Sequence, residues 1–206
     1  MLLSQKLNSS LNTRVNKSEI PLQQFEKGDE INVLGSDIWQ VYRGVVQLSK
    51  VQQDGRETIL GWVSANGTFG NCLDASSDSY RAVALSDVYA KRYFPQDIID
   101  RPLLARQFLA QFSDRLIQSE RLLSIIAVKR VEERFIQLLL MLQQQIGQSI
   151  EDGVRLQVRF THQQLAEAIC TTRVTITRII GDFQNRGLIS LDNTRHIICK
   201  NLQDSI

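Results

Sequence analysis

A chain of 206 residues, 43% apolar and 22% charged, has the composition of a soluble globular protein and the length of one or two domains. Its net charge of only +2 excludes a globally basic nucleic-acid binder, so any basic surface must be local. The cysteines, Cys72, Cys170 and Cys199, are odd in number, far apart and form no CxxC pair, which argues against a disulfide framework and against a structural zinc or iron–sulfur site, and suits a reducing compartment.

Residues 1–20 carry Lys6, Arg14 and Lys17 but no sustained apolar core, and read as a partly disordered leader rather than a secretory signal, with a transit peptide as the alternative. The longest apolar runs, such as Leu138–Leu142, are too short to span a bilayer, so no membrane partner is expected. From 21 to 100 short apolar stretches, Val45–Leu48 and Glu57–Leu60 among them, alternate with turn signals at Lys27-Gly28-Asp29, Gly35-Ser36-Asp37, Asp54-Gly55 and Asn66-Gly67. This spacing predicts a small barrel or sandwich, with a tight hairpin at Asp54-Gly55.

Over 101–128 the pattern turns helical. Leu109, Phe112, Leu116, Ser119, Leu123 and Ile126 recur at alternating steps of three and four, a heptad seam with one small polar member. A seam this narrow predicts a two-helix dimer interface; the alternative is that it packs on the β-rich region. Arg115 and Glu120 flank it and, on spacing alone, are solvated rim residues.

From 129 to 206, Phe135, Leu138, Leu139 and Leu142 predict an amphipathic helix ending near Gly147, then a polar turn at Glu151-Asp152-Gly153 and a strand over Val154–Val158. Next come two short helices. Thr161 and Gln164 form a capping-box pattern before the first, whose inner face is Leu165, Ala166 and Ile169. Thr172 caps the second, whose inner face is Ile176, Ile179, Ile180 and Phe183. The β-branched run Val174–Thr177 disfavours a helix by only tenths of a kcal/mol per residue, about 0.7 at most, so the periodicity prevails. The opposite face carries Arg173, Val174, Thr177 and Arg178. Two arginines that can fork onto guanine, beside methyl groups that can meet thymine, suit a recognition helix in a DNA major groove. Gly187–Leu191 and His196–Cys199 flank Asp192-Asn193-Thr194 like a wing hairpin. Between 155 and 200 seven residues are Lys or Arg (155, 159, 173, 178, 186, 195 and 200) and three are Asp or Glu, so the basic charge concentrates here.

The order of these regions resembles the Crp/Fnr superfamily of transcription regulators. The resemblance rests on Phe25-Glu26-Lys27-Gly28-Asp29, Tyr42-Arg43-Gly44, Asp54-Gly55-Arg56-Glu57, Gly67-Thr68-Phe69-Gly70 and the stretch from Leu165 to Phe183. It covers roughly residues 21–201, and the Thr172–Arg178 core is most similar to the nitrogen-regulator branch of cyanobacteria and algal plastids. It implies an α+β fold: an N-terminal β-roll of the cyclic-nucleotide-binding type, a long dimerisation helix and a C-terminal winged helix-turn-helix. The resemblance further implies a homodimer on double-stranded DNA, palindromic sites with GTA half-sites, RNA polymerase as a partner, and either bacterial cytoplasm or plastid stroma as location. Arg173, Val174 and Arg178 would read bases, with Thr177 on the same face, while Thr161, His162 and Gln163 would position the domain on phosphate. Where the family usually has glycine in the turn this chain has Cys170, which at positive φ costs roughly 1 kcal/mol.

The nitrogen regulators bind 2-oxoglutarate between β-roll and dimer helix, and their helix residues match Arg115 and Glu120. The second carboxylate-binding arginine of the family falls on Asp78, which has no donors and would repel a dicarboxylate. Arg81 is a displaced substitute, and backbone amides of Gly70, Asn71 and Cys72 could cradle one carboxylate. Weakened or absent 2-oxoglutarate binding is therefore expected, and no other cofactor. The rival readings are a regulator using another effector or none, and a ligand-binding module without a DNA role. An enzyme finds no support in the sequence: His162 and His196 are the only histidines, and no phosphate loop or nucleophile motif appears.

Overall fold

The computed structural model describes residues 20–70, 80–200 and Leu202. The expected leader, and Asn71, Cys72 and Asp78, lie outside the described residues.

Among the described residues seven strands come first: β1 (Leu22–Phe25), β2 (Ile38–Arg43), β3 (Val46–Val51), β4 (Glu57–Val63), β5 (Thr68–Gly70), β6 (Tyr80–Ala84) and β7 (Val88–Tyr93). They form two antiparallel sheets, one in the order β1-β7-β2-β5 and one in the order β4-β3-β6. Inward positions at period two, Trp39 and Val41, Val46 and Leu48, Ala82 and Ala84, Val88 and Ala90, meet around Phe69 in a closed apolar core. The Asp54-Gly55 hairpin joins β3 to β4, with the Arg56 amide donating to Asp54 Oδ1. Gly70 sits at φ 134°, where a Cβ would lie 2.0 Å from the Asp37 carbonyl oxygen, so β5 closes on β2 only because no side chain intervenes.

Helix α1 (Pro95–Ile99) leads into α2 (Pro102–Ala127), a 26-residue helix. Its inward stripe is Phe108, Gln118, Leu122 and Ile125. The heptad seam divides: Leu109, Leu116 and Leu123, seven apart, are 72%, 61% and 63% exposed, whereas Phe112, Ser119 and Ile126 are half-buried, Ser119 donating to the Leu60 carbonyl. Half of the seam is thus turned inward and half stands uncovered.

The C-terminal part runs α3 (Val131–Ile146), β8 (Gly147–Ile150), β9 (Gly153–Leu156), α4 (His162–Ala168), α5 (Arg173–Asn185), β10 (Ile189–Leu191) and β11 (Ile197–Cys199). The strands form one sheet, β10-β11-β9-β8. The sequence showed no β8, because its residues, Gly-Gln-Ser-Ile, alternate no apolar face; pairing with β9 alone makes it a strand. Phe135, Leu138, Leu139 and Leu142 are fully buried beneath α4 and α5. The same core takes in Ile59 and Trp62 of β4, with Trp62 edge-on to Phe160 at 5.6 Å. Polar bonds add to this joint. The Gln118 amide of α2 accepts from the Trp62 amide, donates to its carbonyl, and donates to Gln145 Oε1 on α3.

The turn between α4 and α5 places Cys170 at φ 53°. Its backbone is held there by Arg134 of α3, which donates to the Ile169 carbonyl at 2.7 Å, a cation at a helix C-terminus. Cys170→Gly is expected to raise stability by a few tenths to about 1 kcal/mol, the left-handed cost relieved less the added entropy of the unfolded chain. Thermal unfolding checks it, and a lower melting temperature would show that the Cys170 side chain contributes packing.

Candidate nucleic-acid interface

Both caps form as the sequence predicts. Thr161 Oγ1 accepts from the Gln164 amide at 3.1 Å with Gln164 reaching back to the Thr161 amide, and Thr172 Oγ1 accepts from the Thr175 amide at 3.1 Å. Ile176, Ile179, Ile180 and Phe183 turn inward and are buried, which fixes the rotation of α5. Arg173, Val174, Thr177 and Arg178 are consequently exposed on one face, Val174 at 78%. An apolar side chain so exposed beside two arginines suits contact with base edges rather than a core.

The start of α4 leans on this face. His162 Nδ1 lies 2.7 Å from Thr177 Oγ1, and Thr177 Oγ1 donates to the Arg173 carbonyl at 2.9 Å. Gln163 Nε2 donates to Glu167 on its own helix. Beside α5 runs a groove of about 670 Å³, lined among others by Arg159, His162, Arg173, Gln184 and Arg195 and, among the described residues, by no acidic one. Burial, and then the charge of Arg173, hold the His162 pKa below its ordinary value.

The local basic charge is less available than counting suggests. Arg155 pairs with Asp192 at 2.6 Å, and Arg186 pairs with Glu132 at 2.5 Å and Asp182 at 3.1 Å, so these two brace the domain. Arg159, Arg173, Arg178 and Arg195 form no ion pair among the described residues and are exposed. The Arg155–Asp192 pair anchors the wing: Asp192 Oδ1 accepts from the Thr194 and His196 amides, and Arg155 donates to His196 Nδ1 at 2.7 Å. Arg195, at φ 63° on the wing tip, was visible in the sequence only as one more basic residue. Its place in the groove depends on that turn.

Among the described residues, the expected effector side chains Arg81, Arg115 and Glu120 are not gathered into one site. Arg115 donates to the Tyr80 hydroxyl at 3.3 Å, while its Nε is buried without a hydrogen bond among the described residues. Glu120 is exposed and, five residues on, about 140° round the helix from Arg115. Arg81, the displaced substitute of the sequence reading, is engaged by two carboxylates. Strand alternation turns Tyr80, Ala82 and Ala84 to the core, so Arg81 faces outward, where it donates to Glu30 at 3.0 Å and to Glu57 at 3.3 Å. These bonds, that to Glu30 foremost, raise its pKa. On its other side Arg115 borders a pocket of about 280 Å³ that Asp114 also lines.

Burial pushes the Cys199 thiol up to about 12, and Cys170 is exposed. Among the described residues no group of three or more His, Cys, Asp or Glu could hold a metal, and no helix is long and apolar enough to cross a membrane.

The comparisons agree with this geometry. Residues 133–204 match the model of the Crp-like helix-turn-helix domain. The global nitrogen regulator of Synechococcus elongatus is 31% identical over 95% of this chain and 94% of its own length, and that of a Nostoc species is 29% identical over 87% and 85%. A solved transcriptional regulator of the CRP/FNR family from Thermus thermophilus superposes with a TM-score of 0.72 at 27% identity, covering 89% of this chain and 95% of that one. With relatives that are transcription regulators and a recognition helix standing free on a winged domain, this chain belongs to the Crp/Fnr superfamily of DNA-binding transcription regulators.

Proposed function

We propose that this regulator binds palindromic DNA as a homodimer, with GTA half-sites of the nitrogen-control type, and that 2-oxoglutarate does not control it strongly. The observation that carries the reading is the exposed face Arg173-Val174-Thr177-Arg178 on a helix N-capped by Thr172. The uncovered leucines of α2 supply the surface for a second copy, and one recognition helix per half-site needs two copies about 34–36 Å apart on the duplex. Recruitment of RNA polymerase belongs to the same reading.

The nitrogen-control assignment draws on relatives named global nitrogen regulator. The effector part of the reading draws on three features: Arg81 is spent on two glutamates, Tyr80 takes a hydrogen bond of Arg115, and Asp114 adds an anion beside it. A dicarboxylate needs paired cationic donors, and among the described residues that line this pocket Arg115 is the one cation. Isothermal titration with 2-oxoglutarate at millimolar concentration is expected to give little heat and no change in DNA affinity. Saturable binding that disappears in Arg115→Ala and strengthens DNA binding would contradict this. DNA binding itself is tested by titrating the protein with a duplex carrying two GTA half-sites one turn apart against a scrambled duplex at fixed salt, where preference for the first is expected.

A further inference from the structure

The hydrogen bonds of His162 decide which of its ring nitrogens can meet DNA. Thr177 has a single hydroxyl proton, and its 2.9 Å contact with the Arg173 carbonyl, which can only accept, is a hydrogen bond when that proton points there. In the 2.7 Å contact the donor must then be His162 Nδ1. A neutral His162 therefore carries its proton on Nδ1 and presents a bare lone pair at Nε2. Nε2 makes no hydrogen bond among the described residues, and His162 lines the groove in which Arg159, Arg173 and Arg195 stand exposed. Phosphate oxygens at neutral pH are acceptors, so a bare Nε2 against them makes no bond. The imidazolium, a donor at both nitrogens, keeps the Thr177 bond and gains a charge-assisted one.

Resting on the reading that this face binds DNA, we infer that His162 contacts a DNA phosphate only as the imidazolium, so that each protomer takes up one proton when it binds. The charged groups around His162 set the sense of the effect. Arg159 from the segment before α4, Arg173 from α5 and Arg195 from the wing are all cationic, and Glu167 on α4 is engaged by Gln163. In the free protein burial, and then the charge of Arg173, disfavours protonation; a phosphate in the groove acts against both. Affinity is thus full at low pH and falls as pH rises through the interval between the free and the bound pKa. Arg and Lys do not titrate there, which leaves His196 as the other histidine to exclude.

The experiment is a fluorescence titration of the full chain with the duplex of two GTA half-sites, at fixed salt, from about pH 6 to about pH 7.5. Affinity is expected to fall roughly tenfold or more per protomer contact, since one proton taken up corresponds to about a tenfold change per pH unit. His162→Gln, whose amide donates at any pH, should flatten the profile, while His196→Gln keeps it. Thr177→Val, which frees the other tautomer, should also flatten it. Nitrogen-15 imidazole spectra of the free protein should show the proton on Nδ1 of His162. A flat profile in the unmutated protein, an unchanged slope in His162→Gln, or a proton found on Nε2 would overturn the inference alone. Absence of binding at every pH would overturn the DNA reading beneath it.

Discussion

Leu116→Asp is expected to give a monomer that no longer holds palindromic DNA. Leu109, Leu116 and Leu123 stand uncovered on the outer side of α2, with Leu116 at the centre. Covering a leucine stabilises by about 1.5–3 kcal/mol, so removing one from each copy forfeits on the order of 4 kcal/mol, before the cost of setting two carboxylates against each other. At 1.4 kcal/mol per decade that is a loss of roughly a thousandfold or more in dimerisation. DNA affinity should fall with it, because the second half-site would no longer be reached from a tethered partner. The inward stripe Phe108, Gln118, Leu122 and Ile125 is untouched by this change, so the fold should persist. Sedimentation velocity and DNA titration on the same sample check both halves of the expectation. A Leu116→Asp monomer that still bound the palindrome tightly would show that dimerisation is not what couples the two half-sites.

Arg178→Ala should weaken each half-site by about 1–3 kcal/mol and relax selectivity at one base pair of it, the signature of a lost bidentate base contact. Arg178 is exposed, and the inward packing of Ile179 and Ile180 fixes its direction. Lys200→Ala is the contrast. Lys200 is exposed just past β11, and its loss should weaken all sequences alike and reduce the salt dependence by about one ion per protomer. An unchanged base preference in Arg178→Ala would mean that another side chain on α5 reads that position.

Most of the DNA-binding face was legible in the sequence, because it follows from local rules. The caps at Thr161 and Thr172 and the spacing of Ile176, Ile179, Ile180 and Phe183 determine where α5 begins and which way it faces. The strain at Cys170 followed from the resemblance, which puts glycine at that turn, and the residue does stand at positive φ. What escaped depends on pairing across the chain. Strand β8 exists only through β9. Gln118 is a polar residue on a helix until its amide is seen to bridge Trp62 and Gln145. Arg155 and Arg186 counted as DNA-facing charge until their carboxylate partners, 37 and 54 residues away, appeared beside them. The outward turn of Arg81 is a matter of parity: one step along β6 separates the core face from the outer face, and Tyr80 holds the inner position.

The most direct measurement is selection of bound sequences from random duplex DNA by the full chain at fixed salt. The expected result is a two-fold symmetric site whose GTA half-sites are separated by one helical turn, recovered equally with and without 2-oxoglutarate. Recovery of no preferred sequence, or of a single unpaired half-site, would contradict sequence-specific binding by a dimer of this chain.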